Sequence, residues 1–187
     1  MVFFMQNESF LQHQRMLDAE HGDSNCRTLF GISGIPTDNH IRKMLDGVPS
    51  NHFDDVFAHN LDVMKKATAL EPFHRLGGHL LVALDGTEYF RSYEIHCNNC
   101  SHRDRSNGKT EYFHTVLGAM VVAPGHNKVI PLPPEFITPQ DGHDKQDCES
   151  RASRRWLEQH AATYAVYKPI YLGDDLFLGD HFKPYQA

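Results

Sequence analysis

Apolar positions follow a helical period over roughly the first seventy residues and a strand-like density after Gly77-Gly78. Ser9 is placed to cap a helix running to about Glu20, with Gln12 at the capping-box position. Thr37, after Pro36, is placed to cap a second helix with Ile41, Met44 and Leu45 on one face. Ser50 opens a third, in which Phe53, Phe57, Leu61 and Met64 recur at spacings of four, four and three. That stripe reads first as helix packing.

Beyond Gly78 the run His79-Leu80-Leu81-Val82-Ala83-Leu84 predicts a buried strand leading straight into Asp85. A polar stretch from Arg91 to Thr110, rich in Asn, Ser and Arg, predicts loop. A second strand is expected at about Tyr112 to Ala123. The turn Pro124-Gly125-His126-Asn127 follows, then a short strand from Lys128 to Leu132. Pro131, Pro133 and Pro134 end regular structure there. From Lys145 to about Tyr164, Cys148, Ala152 and Trp156 recur every fourth residue, joined by Leu157 and Ala161, and predict a helix. Lys168-Pro169-Ile170-Tyr171-Leu172 predicts a last strand ending at Gly173-Asp174-Asp175.

Three strands on short connections form an antiparallel meander. The helix then supplies a crossover, so the fourth strand can return parallel to the first. The expected fold class is therefore α/β (α+β), a helical N-terminal region over residues 1–75 followed by a mixed sheet over 76–187. In that sheet the ends of the first and last strands are neighbours, so Asp85 and Asp174 are expected to converge. Converging carboxylates suit divalent metals with hard oxygen ligands. The alternative for Asp85 is a turn built on Asp85-Gly86.

Composition narrows the classes. The apolar share is 40% and no run approaches a membrane span, so no membrane role is expected. Met1 to Met5 is apolar but has no basic flank, which excludes a secretory signal and leaves a cytoplasmic protein as the expectation. Four cysteines in that setting are expected to be reduced rather than paired. A formal charge of −6 argues against a simple nucleic-acid-coating module, though not against a carboxylate-bearing nuclease.

Two cysteines fall in His96-Cys97-Asn98-Asn99-Cys100-Ser101-His102. A CxxC is half of a typical tetrahedral zinc site. His114, His143 and Cys148 are the further candidate ligands. Cys148 also fits the buried stripe of its helix as a small hydrophobe.

Several segments together resemble insertion-sequence transposases of the DDE class. Leu84-Asp85-Gly86-Thr87-Glu88-Tyr89-Phe90 resembles that family's first-aspartate segment, and Gly173-Asp174-Asp175-Leu176-Phe177 its second. Pro133-Pro134-Glu135-Phe136-Ile137, Gln140-Asp141-Gly142-His143 and Lys145-Gln146-Asp147-Cys148-Glu149 look like a subgroup signature. Ser9-Phe10-Leu11, Leu29-Phe30-Gly31 and Ile35-Pro36-Thr37-Asp38-Asn39 extend the likeness over nearly the whole chain.

The resemblance implies a partial RNase H-like catalytic domain over 76–187 and a DNA-binding role for 1–75. It also implies Mg²⁺ or Mn²⁺ as cofactor, and transposon ends and target DNA as partners, with a homo-oligomer as a further expectation. Asp85 carries over as the first catalytic and metal-binding acid. Asp174 is the second, with Asp175 as its alternative. The family's third acid is a glutamate on a later helix, and only ten residues follow Phe177. The expectation is therefore a truncated transposase, inactive alone. The alternative is a noncatalytic DNA- or protein-binding remnant, stabilised by zinc on Cys97, Cys100, His143 and Cys148.

Overall fold

The computed structural model describes residues 7–139 and 149–173. Contacts group the chain into two compact units, residues 1–52 and 53–187.

The first unit is helical. Helix α1 spans Phe10–Asp18, α2 Asp23–Phe30 and α3 Asp38–Asp46. The Ser9 hydroxyl accepts the Gln12 amide at 3.1 Å, and the Thr37 hydroxyl accepts that of His40 at 3.2 Å. These bonds satisfy amides that the first helical turn leaves without partners, as the cap residues predicted. The Asp38 amide donates to Gln14 Oε1 at 3.1 Å and ties the start of α3 to α1. Helix α2 was not expected. Its one buried apolar residue is Cys26, so it carries no stripe for a periodicity to reveal.

A helical turn over Ser50–Phe53 spans the boundary, and the second unit continues with helix α4, Asp54–Lys66, which buries Leu61. Seven strands follow among the described residues: β1 His74–Arg75, β2 His79–Ser92, β3 Ser101–Asp104, β4 Thr110–Val122, β5 Ile130–Pro131, β6 Glu135–Ile137 and β7 Pro169–Leu172. Helix α5, Glu149–Tyr164, connects β6 to β7. β2 and β4 form the long antiparallel centre of one mixed sheet. β3, β5 and β6 pair antiparallel with β4, and β1 with β2. β7 pairs parallel with β2, from Leu80 opposite Pro169 to Ala83 opposite Leu172. The architecture is α+β, with the meander, crossover helix and parallel return that the run order predicts.

Side-chain alternation sorts the faces of β2. Leu80, Val82 and Leu84 join Leu117, Ala119 and Val121 of β4 in a core closed by Ala152, Trp156 and Leu157 of α5. Ala152, Trp156, Leu157 and Ala161 of the stripe read in the sequence therefore form the packed face of α5, while Cys148 lies outside the described residues. Trp156 is fully buried, and its indole N–H donates to the Pro133 carbonyl at 2.6 Å. Its ring stacks on Tyr164 and meets Tyr171 edge-on. Arg155, beside Trp156 on the helix, bonds Glu135 on β6 at 2.7 Å.

The polar stretch 91–110 departs from expectation. β2 runs on to Ser92 and β3 lies inside the stretch, paired with β4. The turn 105–109 closes this hairpin, with Gly108 at φ 74°, a conformation open to glycine. Buried Glu111 accepts bonds from both Arg103 and Arg105, and Arg103 reaches on to Glu88. Burial works against ionisation of Glu111, but the two guanidinium groups prevail and hold its carboxyl below the usual range. These strands are polar because ion pairs, not apolar packing, cover their face.

Candidate metal centre

The loop from Tyr93 to Cys100 leaves β2 through a turn in which the Ser92 hydroxyl accepts the Glu94 and Ile95 amides at 3.1 and 2.9 Å. A second turn closes the CxxC. The Cys100 amide donates to the Cys97 carbonyl at 3.1 Å, and the Cys97 amide points at Cys100 Sγ at 3.3 Å. The two sulfurs lie 3.8 Å apart. His114 Nε2, from the middle of β4, is 3.4 Å from Cys97 Sγ and 3.3 Å from Cys100 Sγ. Cys97 is exposed, Cys100 buried and His114 half-buried.

These are the edges of a coordination tetrahedron. Metal–sulfur bonds of about 2.3 Å and a metal–nitrogen bond of about 2.0–2.1 Å give a sulfur–sulfur edge of about 3.8 Å and sulfur–nitrogen edges of about 3.5–3.6 Å. The observed triangle needs only a few tenths of an ångström to accept an ion. It is not a disulfide, whose sulfurs lie about 2.05 Å apart. Burial pushes the Cys100 thiol up. A bound cation reverses that preference, because the ligand form is the thiolate.

A break in the β2–β4 register aims His114. The pairing shifts between Glu88 and Phe90, so Phe90 comes opposite His114 and Tyr89 is the extra residue. The imidazole then has Tyr89 stacked on it and Phe90 tilted against it, each with centroids 5.6 Å away. Burial, with the neighbouring Cys97 and Cys100, raises the Tyr89 phenol above its ordinary range. His96, next to Cys97 in the chain, instead stacks on Tyr112.

Cys97 and Cys100 are thus together as the CxxC predicts. His114, one of three candidates for a third ligand, joins them. His143 and Cys148 lie outside the described residues. Among the described residues these three form a candidate ligand group with no fourth member.

Asp85 lies exposed on β2, directly opposite Gly118 of β4 and two residues past the last described β2–β7 pair. It sits inside a continuous strand, so Asp85-Gly86 is not a turn. Asp174 and Asp175 lie outside the described residues.

Sequence reading assigned no role to Glu149, the first residue of α5. A Cβ on Gly86 would overlap its carboxylate group. Glycine at 86 therefore lets a second acid lie on the β2 backbone, one residue from Asp85. Alternation sends Asp85 to the opposite face from Gly86. On the β4 side a Cβ on Gly118, the residue paired with Asp85, would meet the Met120 methyl at 3.2 Å.

No family model matches the chain, and no curated protein or solved structure is significantly similar to it. Among the described residues no helix is long and apolar enough to cross a membrane.

Proposed function

We propose that this chain carries part of the RNase H-like catalytic core of a DDE-class transposase. In this reading Asp85, with Asp174 or Asp175, holds Mg²⁺ or Mn²⁺ for cleavage and joining of DNA. The observation that carries the reading is the parallel return of β7 beside β2. Leu80 opposite Pro169 is an offset of 89 positions, the offset that also separates Asp85 from Asp174. A register with that offset is what the two-carboxylate arrangement requires.

Exposed Asp85 opposite a glycine suits a cation that must also touch a DNA phosphate. Carboxylate oxygens are the donors Mg²⁺ selects. When bound, such ions activate the attacking oxygen and stabilise the leaving one. The protein's own part is to hold Asp85 on the central strand β2, paired with β4 at Gly118 and two residues past the last β7 pair.

Paramagnetic broadening by Mn²⁺ tests this in the zinc-loaded chain. Amide resonances of Leu84 to Thr87 and of Tyr171 to Gly173 are expected to broaden first, to recover with excess Mg²⁺ and to be spared in Asp85→Asn. Broadening centred elsewhere, or unchanged in Asp85→Asn, would overturn the assignment.

The sulfur–nitrogen triangle supports a second, compatible reading, a zinc-stabilised binding module. Two thiolates and an imidazole are soft and borderline donors, and Zn²⁺ is the abundant tetrahedral ion that takes them. Zinc here would clamp the 93–100 loop to β4. It would not take part in chemistry at Asp85.

A further inference from the structure

We infer that Cys97 and Cys100 form an oxidisable dithiol, a modification site at which peroxide converts the zinc ligands into a disulfide and expels the ion. This rests on zinc being the occupant of the centre.

Three features support it. The sulfurs stand 3.8 Å apart, so closing them to the bonding distance of about 2.05 Å is a movement of under two ångströms. That movement falls in the 93–100 loop, which carries no sheet pairing, so the β2–β4 ladder can stay intact. The two cysteines also differ in access: Cys97 is exposed and Cys100 is buried behind it. That is the arrangement of an attacking thiolate with a resolving partner.

The chemistry balances with hydrogen peroxide as the oxidant. The Cys97 thiolate attacks one peroxide oxygen, the O–O bond breaks and hydroxide leaves, giving a sulfenic acid. The Cys100 thiolate then attacks Cys97 Sγ, the S–O bond breaks and a second hydroxide leaves. Two protons convert the hydroxides to water. Two electrons have passed from the sulfurs to the peroxide. Zn²⁺ keeps its charge and loses both thiolate ligands. His114 remains on β4 as the lone described ligand, too little to hold the ion.

Zinc retention is read by dialysis and metal analysis of the full chain. Release on peroxide addition is followed with a chromophoric chelator, and the cysteines are mapped by peptide mass spectrometry. The expected result is one zinc per chain, released in step with a Cys97–Cys100 disulfide. Dithiothreitol and added zinc should restore the starting state, with the sheet's circular dichroism unchanged throughout. In Cys100→Ser, Cys97 should stop at the sulfenic acid and be trapped by a dione probe.

Failure of the untreated chain to retain zinc would overturn the zinc reading and this proposal with it. Zinc retained under peroxide would overturn the switch alone. So would zinc lost with Cys97 at the sulfonic acid and Cys100 still a thiol. Both outcomes leave the zinc reading standing.

Discussion

Trp156→Ala is expected to destabilise the second unit by about 3–5 kcal/mol, the cost of emptying a large aromatic site in a close-packed core. Trp156 is fully buried between the sheet and its own helix. Its removal also strands the Pro133 carbonyl that its indole N–H satisfies, and an unpaired buried acceptor costs about 1–3 kcal/mol. Domains of this kind are stable by about 5–15 kcal/mol, so the variant should lose a large part of its folding free energy. Urea unfolding followed by far-ultraviolet circular dichroism measures it. A loss under about 1 kcal/mol would mean that α5 does not pack on the sheet as described. Trp156→Phe separates the two contributions, keeping most of the ring volume and losing the hydrogen bond.

The second large effect falls on zinc affinity. Cys100→Ser should weaken zinc binding by more than the roughly 10–100-fold that a change behind the ligands costs, because it removes a ligand outright. Serine is nearly isosteric but offers a neutral, hard hydroxyl in place of a thiolate. His114→Ala should weaken binding in the same way. His96→Ala should not, since that ring stacks on Tyr112. Competition with a chromophoric chelator gives the affinities. Equal affinity in wild type and Cys100→Ser would show that zinc, if bound, sits elsewhere.

The parts of the fold legible in the sequence are those where apolar packing dictates the pattern. Leu80, Val82 and Leu84 had to be buried, and so did Ala152, Trp156 and Leu157. Strand, helix and parallel return follow from their spacing. The helix caps at Ser9 and Thr37 were legible for a different reason: their side chains act on the local backbone alone.

What was hidden depends on tertiary pairing. β2 beyond Asp85 and all of β3 are polar, held by the Glu88–Arg103–Glu111 ion pairs, which leave no alternation of apolar residues to read. One signal was available there. Asn107-Gly108 is a turn pair inside the polar stretch, and it would have placed β3 beside β4.

The metal centre divides in the same way. The CxxC is local and was read directly. His114 was one of three candidates, and the β2–β4 register with its extra residue at Tyr89 is what brings it, 14 positions beyond Cys100, to the sulfurs. No spacing rule encodes that. Glu149 was hidden for the same reason, since its contact with Gly86 exists only once α5 lies across β2.

The transferase reading turns on whether Asp85 shares a cation with the acids that follow β7. A crystal structure of the zinc-loaded chain grown with Mn²⁺, with anomalous scattering recorded at the manganese edge, tests it most directly. The account predicts a manganese peak on the Asp85 face of β2, coordinated by Asp85 together with Asp174 or Asp175. Asp85 and Asp174 on opposite sides of the sheet, with no manganese on Asp85, would contradict it.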